Sequence, residues 1–100
     1  MTNLESVRKV AFDVDDTLLV AAKNSENTPN YPVIAIYKWF QSQGCEMIIW
    51  SGSGVDWAKR WGEKLGLEPF SVRVKEKFPE IDIAFDDCDV DLGKVNIRVK

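Results

Sequence analysis

Residues 10–18 read Val-Ala-Phe-Asp-Val-Asp-Asp-Thr-Leu, an apolar run that ends in three acids and a threonine. A short apolar run bounded by polar residues is typical of a buried strand. Because side chains alternate along a strand, Asp13 and Asp15 would point the same way if the strand continued. Two carboxylates that close disfavour each other's charge unless a cation neutralises them. The stretch therefore predicts a divalent-cation site, and Mg²⁺ prefers carboxylate and phosphate oxygens.

The pattern Asp-x-Asp-x-Thr after an apolar strand is formed here by Asp13, Asp15 and Thr17. It resembles the first motif of the haloacid dehalogenase-like (HAD) phosphohydrolases. In that family the first Asp is a nucleophile that becomes a phospho-aspartate, and the second is a general acid and base. The resemblance therefore implies these catalytic roles for Asp13 and Asp15. The alternative for so short a motif is a strand that ends in a solvated acidic turn.

Length and composition bound the remaining possibilities. One hundred residues, 1–100, make a single domain, and a net charge of −3 without a basic run argues against bulk electrostatic binding of nucleic acid. Histidine is absent, which excludes Ser-His and Cys-His catalysis. No leader peptide or membrane span is visible, and Cys45 and Cys88 form no metal-type pair. We therefore expect a cytoplasmic protein without a membrane partner.

Segments of strand and helix character alternate along the chain. The strands are expected at about 7–14, 46–50, 70–74, 81–85 and 95–99, and the helices at about 31–43 and 55–65. The polar stretch 23–30 carries proline breakers and is predicted as a loop. This alternation predicts an α/β fold with a mostly parallel sheet and covering helices, and the HAD resemblance implies a three-layer Rossmann-like arrangement with strand order 5-4-1-2-3.

Apolar residues at helical spacing predict the buried faces of the two helices. The residues expected to face the core are Val33, Ile36, Tyr37 and Phe40 in the first helix and Ala58, Trp61 and Leu65 in the second. Ser53 is expected to cap the second helix. Trp57 and Trp61 are interpreted as core or flanking residues without a functional role.

Four polar residues each fall just after a predicted strand: Asp13, Ser51, Lys75 and Asp86. In parallel α/β sheets, ligands bind beyond the carboxyl ends of the strands. This common placement is the strongest indication of a single site, because no one motif carries the same weight.

The resemblance assigns further roles to these positions. Ser51 resembles the second motif, so its hydroxyl and the Gly52 N–H are expected to hold phosphate. Lys75 resembles the third, where an ammonium neutralises nucleophile and phosphate. Asp86 and Asp87 resemble the fourth, whose acids complete a Mg²⁺ site together with Asp13 and with Asp15, the latter through its backbone carbonyl. Asp89 and Asp91 are expected to be solvated.

Lys77 is the alternative to Lys75 as the phosphate-site lysine. The chain must pass from the third strand back across the sheet to the fourth, over about 22 Å. Six extended residues cover about 20 Å, which favours Lys75 and predicts a short or displaced third strand. Residues 87–95 are too few for a helical crossover, so the fifth strand is expected to be antiparallel or at an edge.

No cap domain fits between these motifs, and only residues 19–30 could form a small flap. We therefore expect a Mg²⁺-dependent phosphatase with an open site, acting on a phosphate ester that can be a macromolecular end such as a phosphoprotein or polynucleotide. Alternatively, a neighbouring subunit covers the site. A receiver-like signalling domain, or a HAD-like binding module without turnover, is the alternative. A receiver needs its phospho-acceptor Asp where Ser51 stands, which favours the phosphatase.

Overall fold

The computed structural model describes residues 8–21 and 27–99. In chain order, the elements of this part are β1 (Lys9–Asp13), β2 (Leu19–Ala21), β3 (Asn27–Pro29), α1 (Tyr31–Ser42), β4 (Glu46–Trp50), α2 (Val55–Lys64), β5 (Ser71–Val72), β6 (Ile83–Asp86) and β7 (Val95–Arg98). The expected start of the first strand at residue 7 and residues 23–26 of the predicted loop lie outside the described residues.

Five parallel strands form the main sheet in the order β5-β4-β1-β6-β7. β1 lies at its centre, with Phe12 opposite Ile49 of β4 and Phe85 of β6. The predicted α/β class and the parallel sheet are present. Along the chain, β1, β4, β5, β6 and β7 are the first to fifth strands of the main sheet, so the order read from β7 is the predicted 5-4-1-2-3. β7 is an edge strand as expected, but it runs parallel to β6 and not antiparallel.

A second, two-stranded sheet occupies part of the predicted loop. β2 and β3 pair in antiparallel fashion, with Leu19 opposite Pro29. Asn30 closes the ribbon by donating its backbone N–H to Leu18 O at 2.8 Å and its side-chain amide to Thr17 O at 3.1 Å. The expectation of a simple loop was wrong at residues 27–29. Proline is tolerated there because the ribbon has only two strands, so both are edges.

The main core lies on one face of the sheet. Phe12 stacks on Phe85 with ring centroids 4.3 Å apart and meets Tyr37 of α1 edge-on at 5.1 Å. The residues of α1 that are buried in this cluster are Val33, Ile34, Tyr37 and Phe40. Ile36 was expected to face the core but is 42% exposed.

Two polar anchors explain how α1 is oriented. The Tyr37 hydroxyl and the Gln41 side-chain amide both donate to Leu67 O at 3.0 Å, and Gln41 also donates to Pro69 O at 3.1 Å. These bonds turn the face that holds Ile34 toward the loop after α2. Ile36 is thereby left on the opposite flank of the helix.

The helix α2 packs on the same face through Ala58 and Gly62, which are buried. A Cβ on Gly62 would clash with the Phe70 ring, so only glycine allows this close approach. Trp61 and Leu65, predicted to point inward, are partly buried at the margin of the cluster. The predicted cap at Ser53 was wrong, because Gly54 (φ 109°) is the N-cap and no side chain caps the helix.

Loops cover the opposite face of the sheet. Its buried residues Ala11, Ile48, Trp50 and Ala84 pack with Ile81, Phe78 and Leu92, none of which belongs to a helix. Within the described residues both helices lie on one face, so the expected helical layer on each face is not formed. The reason is length: the connections 73–82 and 87–94 are shorter than the dozen or more residues that a helical crossover needs.

Strand lengths follow the same constraint. The third strand of the main sheet is shortened from the predicted 70–74 to Ser71–Val72, as the crossing distance implied. β4 has the predicted bounds, and β6 begins two residues later than predicted. No helix in the described part of the chain is long and apolar enough to span a membrane.

Candidate functional site

The turn after β1 determines where the first acids lie. Asp13 and Asp15 both keep extended backbone angles (ψ 155° and 128°), and the exposed Asp16 then adopts φ 61°. Aspartate is one of the few non-glycine residues that occupy this left-handed region readily. The reversal closes when Leu19 donates its N–H to Val14 O. Both acids are thus presented at the carboxyl edge of the sheet.

Asp13 lies at the centre of the site and is only 3% exposed. Lys75 Nζ is 3.1 Å from Asp13 Oδ1 and 2.6 Å from Asp86 Oδ2. The Thr17 hydroxyl donates to Asp13 Oδ2 at 3.4 Å, and the Cys88 N–H donates to Asp86 Oδ1 at 2.9 Å. The structure therefore brings together three residues that sequence reasoning placed after three different strands.

The charges in this cluster do not balance. Burial, and next the charge of Asp86, raise the pKa of Asp13 to about 7, and Asp87 adds to this while Lys75 opposes it. Burial lowers the pKa of Lys75, but hydrogen bonds to Asp86 and Asp13 outweigh it and hold that pKa above its ordinary value. The single ammonium group of Lys75 therefore lies among the carboxyl groups of Asp13, Asp86 and Asp87. The site favours an additional cation, or a proton in its place.

A second group of side chains surrounds the carboxylate of Asp15. The Ser51 hydroxyl, at the end of β4 and 4% exposed, donates to Asp15 Oδ2 at 3.4 Å. The Trp57 indole N–H donates to Asp15 Oδ1 at 3.3 Å. Ser53 donates its backbone N–H to Ser51 Oγ at 3.0 Å, which orients the hydroxyl. Gly52 is exposed in the same turn.

Trp57 was missed by the sequence interpretation, which gave it no functional role. The signal that could have found it is its position in the first turn of α2, directly after the Ser51 turn. A polar contact from an indole depends on the orientation of the ring. The Trp57 ring packs against the margin of the main core, and the Trp61 ring lies 6.0 Å away.

The structure distinguishes the two candidate lysines by their contacts. Lys75 contacts the central acids, whereas Lys77 Nζ lies 2.8 Å from Asp91 Oδ2 in a pair whose side chains are 64% and 70% exposed. Asp91 is solvated as expected, and in addition it pairs with Lys77 at the surface. Asp89 is exposed as expected.

Asp86, Asp87 and Cys88 bring one ligand atom each within 4.8 Å of one another. The charge of Asp87 raises the pKa of the Cys88 thiol. Two of the three ligand atoms are carboxylate oxygens, the type of donor that hard cations prefer, and the third is a softer sulfur.

A groove of about 570 Å³ lies elsewhere, at the amino end of β4. Its described lining includes Gln41, Glu46 and Phe70 but no lysine or arginine. It therefore lacks the cation that a phosphate site needs, and the acids at the carboxyl ends of the strands are the better candidate.

Comparison of the chain with protein-family models, with curated proteins and with solved structures finds no match. The resemblance to the HAD-like phosphohydrolases therefore rests on the sequence motifs alone.

Proposed function

We propose that this protein is a Mg²⁺-dependent phosphohydrolase of the HAD-like type, acting through a phospho-aspartate formed on Asp13. The observation that supports it most is the contact of Lys75 with both Asp13 and Asp86, at the carboxyl ends of adjacent strands. Phosphoryl transfer depends mainly on positioning and on neutralising charge. A buried carboxylate beside a lysine and a second acid meets both needs.

The donor set fits a magnesium ion. Asp13, Asp86 and Asp87, with the backbone carbonyl of Asp15, would hold it. Bound there, Mg²⁺ supplies positive charge against the phosphate and the nucleophile.

Each remaining task has a residue. In the first step the Asp13 carboxylate forms a bond to phosphorus while the bond to the leaving oxygen breaks, and Asp15 gives that oxygen a proton. In the second step Asp15 takes a proton from water, which attacks phosphorus and releases phosphate and Asp13. Lys75 neutralises the negative charge of the nucleophile and the phosphate. The Ser51 hydroxyl and the Gly52 N–H hold phosphate oxygens.

The substrate class follows from the open site. Within residues 8–21 and 27–99, the connections between the site elements contain β2, β3, α1, β4 and α2, which supports a site without a cap domain. We therefore propose a phosphorylated substrate with a bulky or macromolecular body, met in the cytoplasm. The β2–β3 ribbon, joined to the site through Asn30 and Thr17, is the element of the chain that could act as a flap.

A panel of phosphate esters, assayed with Mg²⁺ and with a chelator, tests the proposal. The variant Asp13→Asn should lose activity by on the order of 10⁴-fold or more. Lys77→Met, which alters a lysine outside the site, should retain the activity of the wild type. Full activity of Asp13→Asn in a preparation free of other phosphatases would overturn the assignment.

A receiver-like or non-catalytic phosphoryl-binding module remains the second candidate, because a lysine between buried acids also suits one. The lifetime of the acyl-phosphate separates the two. Rapid, Mg²⁺-dependent release of phosphate favours the hydrolase. A phosphorylated protein that persists through the assay, without turnover, favours the signalling module.

A further inference from the structure

The carboxylate of Asp15 is held at both oxygens. Ser51 Oγ donates to Oδ2 at 3.4 Å and Trp57 Nε1 donates to Oδ1 at 3.3 Å. The two donors differ in how firmly they are placed. The Ser53 N–H holds the oxygen of Ser51 but leaves its hydroxyl hydrogen free to turn, whereas the Trp57 ring is partly buried, packs against the main core and meets Trp61 edge-on at 6.0 Å.

The two donors also differ in chemistry. An indole N–H can only donate, so Asp15 Oδ1 must act as an acceptor whether Asp15 is charged or neutral. A transferable proton on Asp15 is therefore favoured on Oδ2, because an unprotonated carboxyl oxygen is the stronger acceptor for the indole N–H. That is the oxygen that Ser51 occupies in the absence of substrate.

Ser51 cannot serve two acceptors at once, because its hydroxyl carries one hydrogen. In the function proposed above, that hydrogen turns to a phosphate oxygen when substrate binds. Oδ2 is then released to carry the proton for the leaving group. Within the described residues, Trp57 is the side-chain donor that still holds the Asp15 carboxyl in place.

We propose that Trp57 is a positioning residue, which keeps the Asp15 carboxyl oriented with Oδ2 toward the leaving oxygen. This role rests on the proposed phosphohydrolase function. It assigns to an indole on α2 a part in proton transfer at the end of β1. Holding a general acid at the correct angle matters most when the leaving group needs its proton early.

The kinetic test compares Trp57→Phe with its neighbour variant Trp61→Phe, using 4-nitrophenyl phosphate and phenyl phosphate with Mg²⁺. Phenylalanine keeps an aromatic ring and removes the N–H. For Trp57→Phe we expect kcat/KM, which reports the phosphorylation step in which Asp15 protonates the leaving oxygen, to fall about tenfold or more on phenyl phosphate. On 4-nitrophenyl phosphate kcat/KM should fall much less, because nitrophenolate leaves without assistance. Trp61→Phe should leave both rates near those of the wild type.

Two kinetic results would overturn the proposal. One is an equal loss of kcat/KM on both esters, which indicates general damage to the fold or site. The other is the same leaving-group dependence in Trp61→Phe, which assigns the effect to packing and not to the N–H.

A second readout is independent of turnover. The chain has four tryptophans, so four indole N–H cross-peaks are expected in a ¹⁵N–¹H correlation spectrum, and the one lost in Trp57→Phe belongs to Trp57. Because a charged acceptor strengthens a hydrogen bond, Asp15→Asn should move this peak more than the other three. An unmoved peak would overturn the contact. If the peak moves but the wild type hydrolyses neither ester, the proposed function fails and the positioning role fails with it, although the contact stands.

Discussion

Replacing Lys75 with methionine removes the cation that two buried carboxylates share. Lys75 Nζ lies 3.1 Å from Asp13 Oδ1 and 2.6 Å from Asp86 Oδ2, and the two acids are 3% and 2% exposed. Breaking a buried ion pair by removing one partner costs about 3–5 kcal/mol, because a buried charge is left uncompensated. We expect a loss of that size in the free energy of unfolding of metal-free Lys75→Met at about pH 8.

The loss should depend on pH in a definite direction. The pKa of Asp13 in the fold is about 7, above its ordinary value of 3.8, so the folded state binds a proton that the unfolded state has released. This contribution to stability is present below about pH 4 and is lost as pH rises to about 7. Because Lys75 opposes the upward shift, its removal raises the pKa of Asp13 further. The difference between Lys75→Met and the wild type should therefore grow as pH rises through 7.

Urea unfolding, followed by tryptophan fluorescence with a chelator present, measures this directly at about pH 5.5 and about pH 8. Lys77→Met is the matched control, since the Lys77–Asp91 pair is exposed and such pairs contribute about 0–1 kcal/mol. The reasoning is refuted if Lys75→Met is no less stable than Lys77→Met at the higher pH. It is equally refuted if its loss is the same at both pH values.

Three further outcomes are expected. Mg²⁺ should raise the urea midpoint of the wild type more at about pH 8 than at about pH 5.5, because the cation competes with a proton at Asp13; an equal shift at both would contradict a site that includes this carboxylate. Asp13→Asn should abolish turnover yet make the metal-free protein more stable at about pH 8, because it removes a buried charge that Lys75 only partly offsets. A loss of stability in this variant would show that Lys75 fully compensates the charge. Gly62→Ala should cost about 1–3 kcal/mol or more, because its Cβ would meet the Phe70 ring, whereas the exposed neighbour variant Glu63→Ala should be near neutral in the same urea titration.

The parts of the fold that were predictable depend on local pattern. β4 has the predicted bounds because Met47-Ile48-Ile49-Trp50 is a short apolar run between Glu46 and Ser51. The grouping of the candidate site was predictable for a related reason. Asp13, Lys75 and Asp86 each follow a parallel strand, and the carboxyl ends of parallel strands meet at one edge.

The parts that were not predictable depend on distant contacts. The exposure of Ile36 follows from bonds between α1 and the carbonyls of Leu67 and Pro69. The β2–β3 ribbon lacks an alternating pattern in Asn27-Thr28-Pro29 and depends on pairing with Leu19–Ala21. The role of Trp57 depends on where α2 places its indole. For Ile36 and Trp57 the deciding partner is remote in sequence, and for the ribbon it is the neighbouring strand. In none of these cases does local periodicity carry information about the partner.

The central claim is that Asp13 attacks phosphorus in a magnesium-dependent reaction. Asp15→Asn should slow the second step and let the phospho-enzyme accumulate. This variant is mixed with 4-nitrophenyl phosphate and Mg²⁺ and is then treated with borohydride, which reduces an acyl-phosphate side chain to an alcohol. Peptide mass spectrometry should find the reduced side chain at residue 13, and only in samples that contained Mg²⁺. Reduction at another residue, or none in a variant whose wild-type parent hydrolyses the ester, would contradict the account.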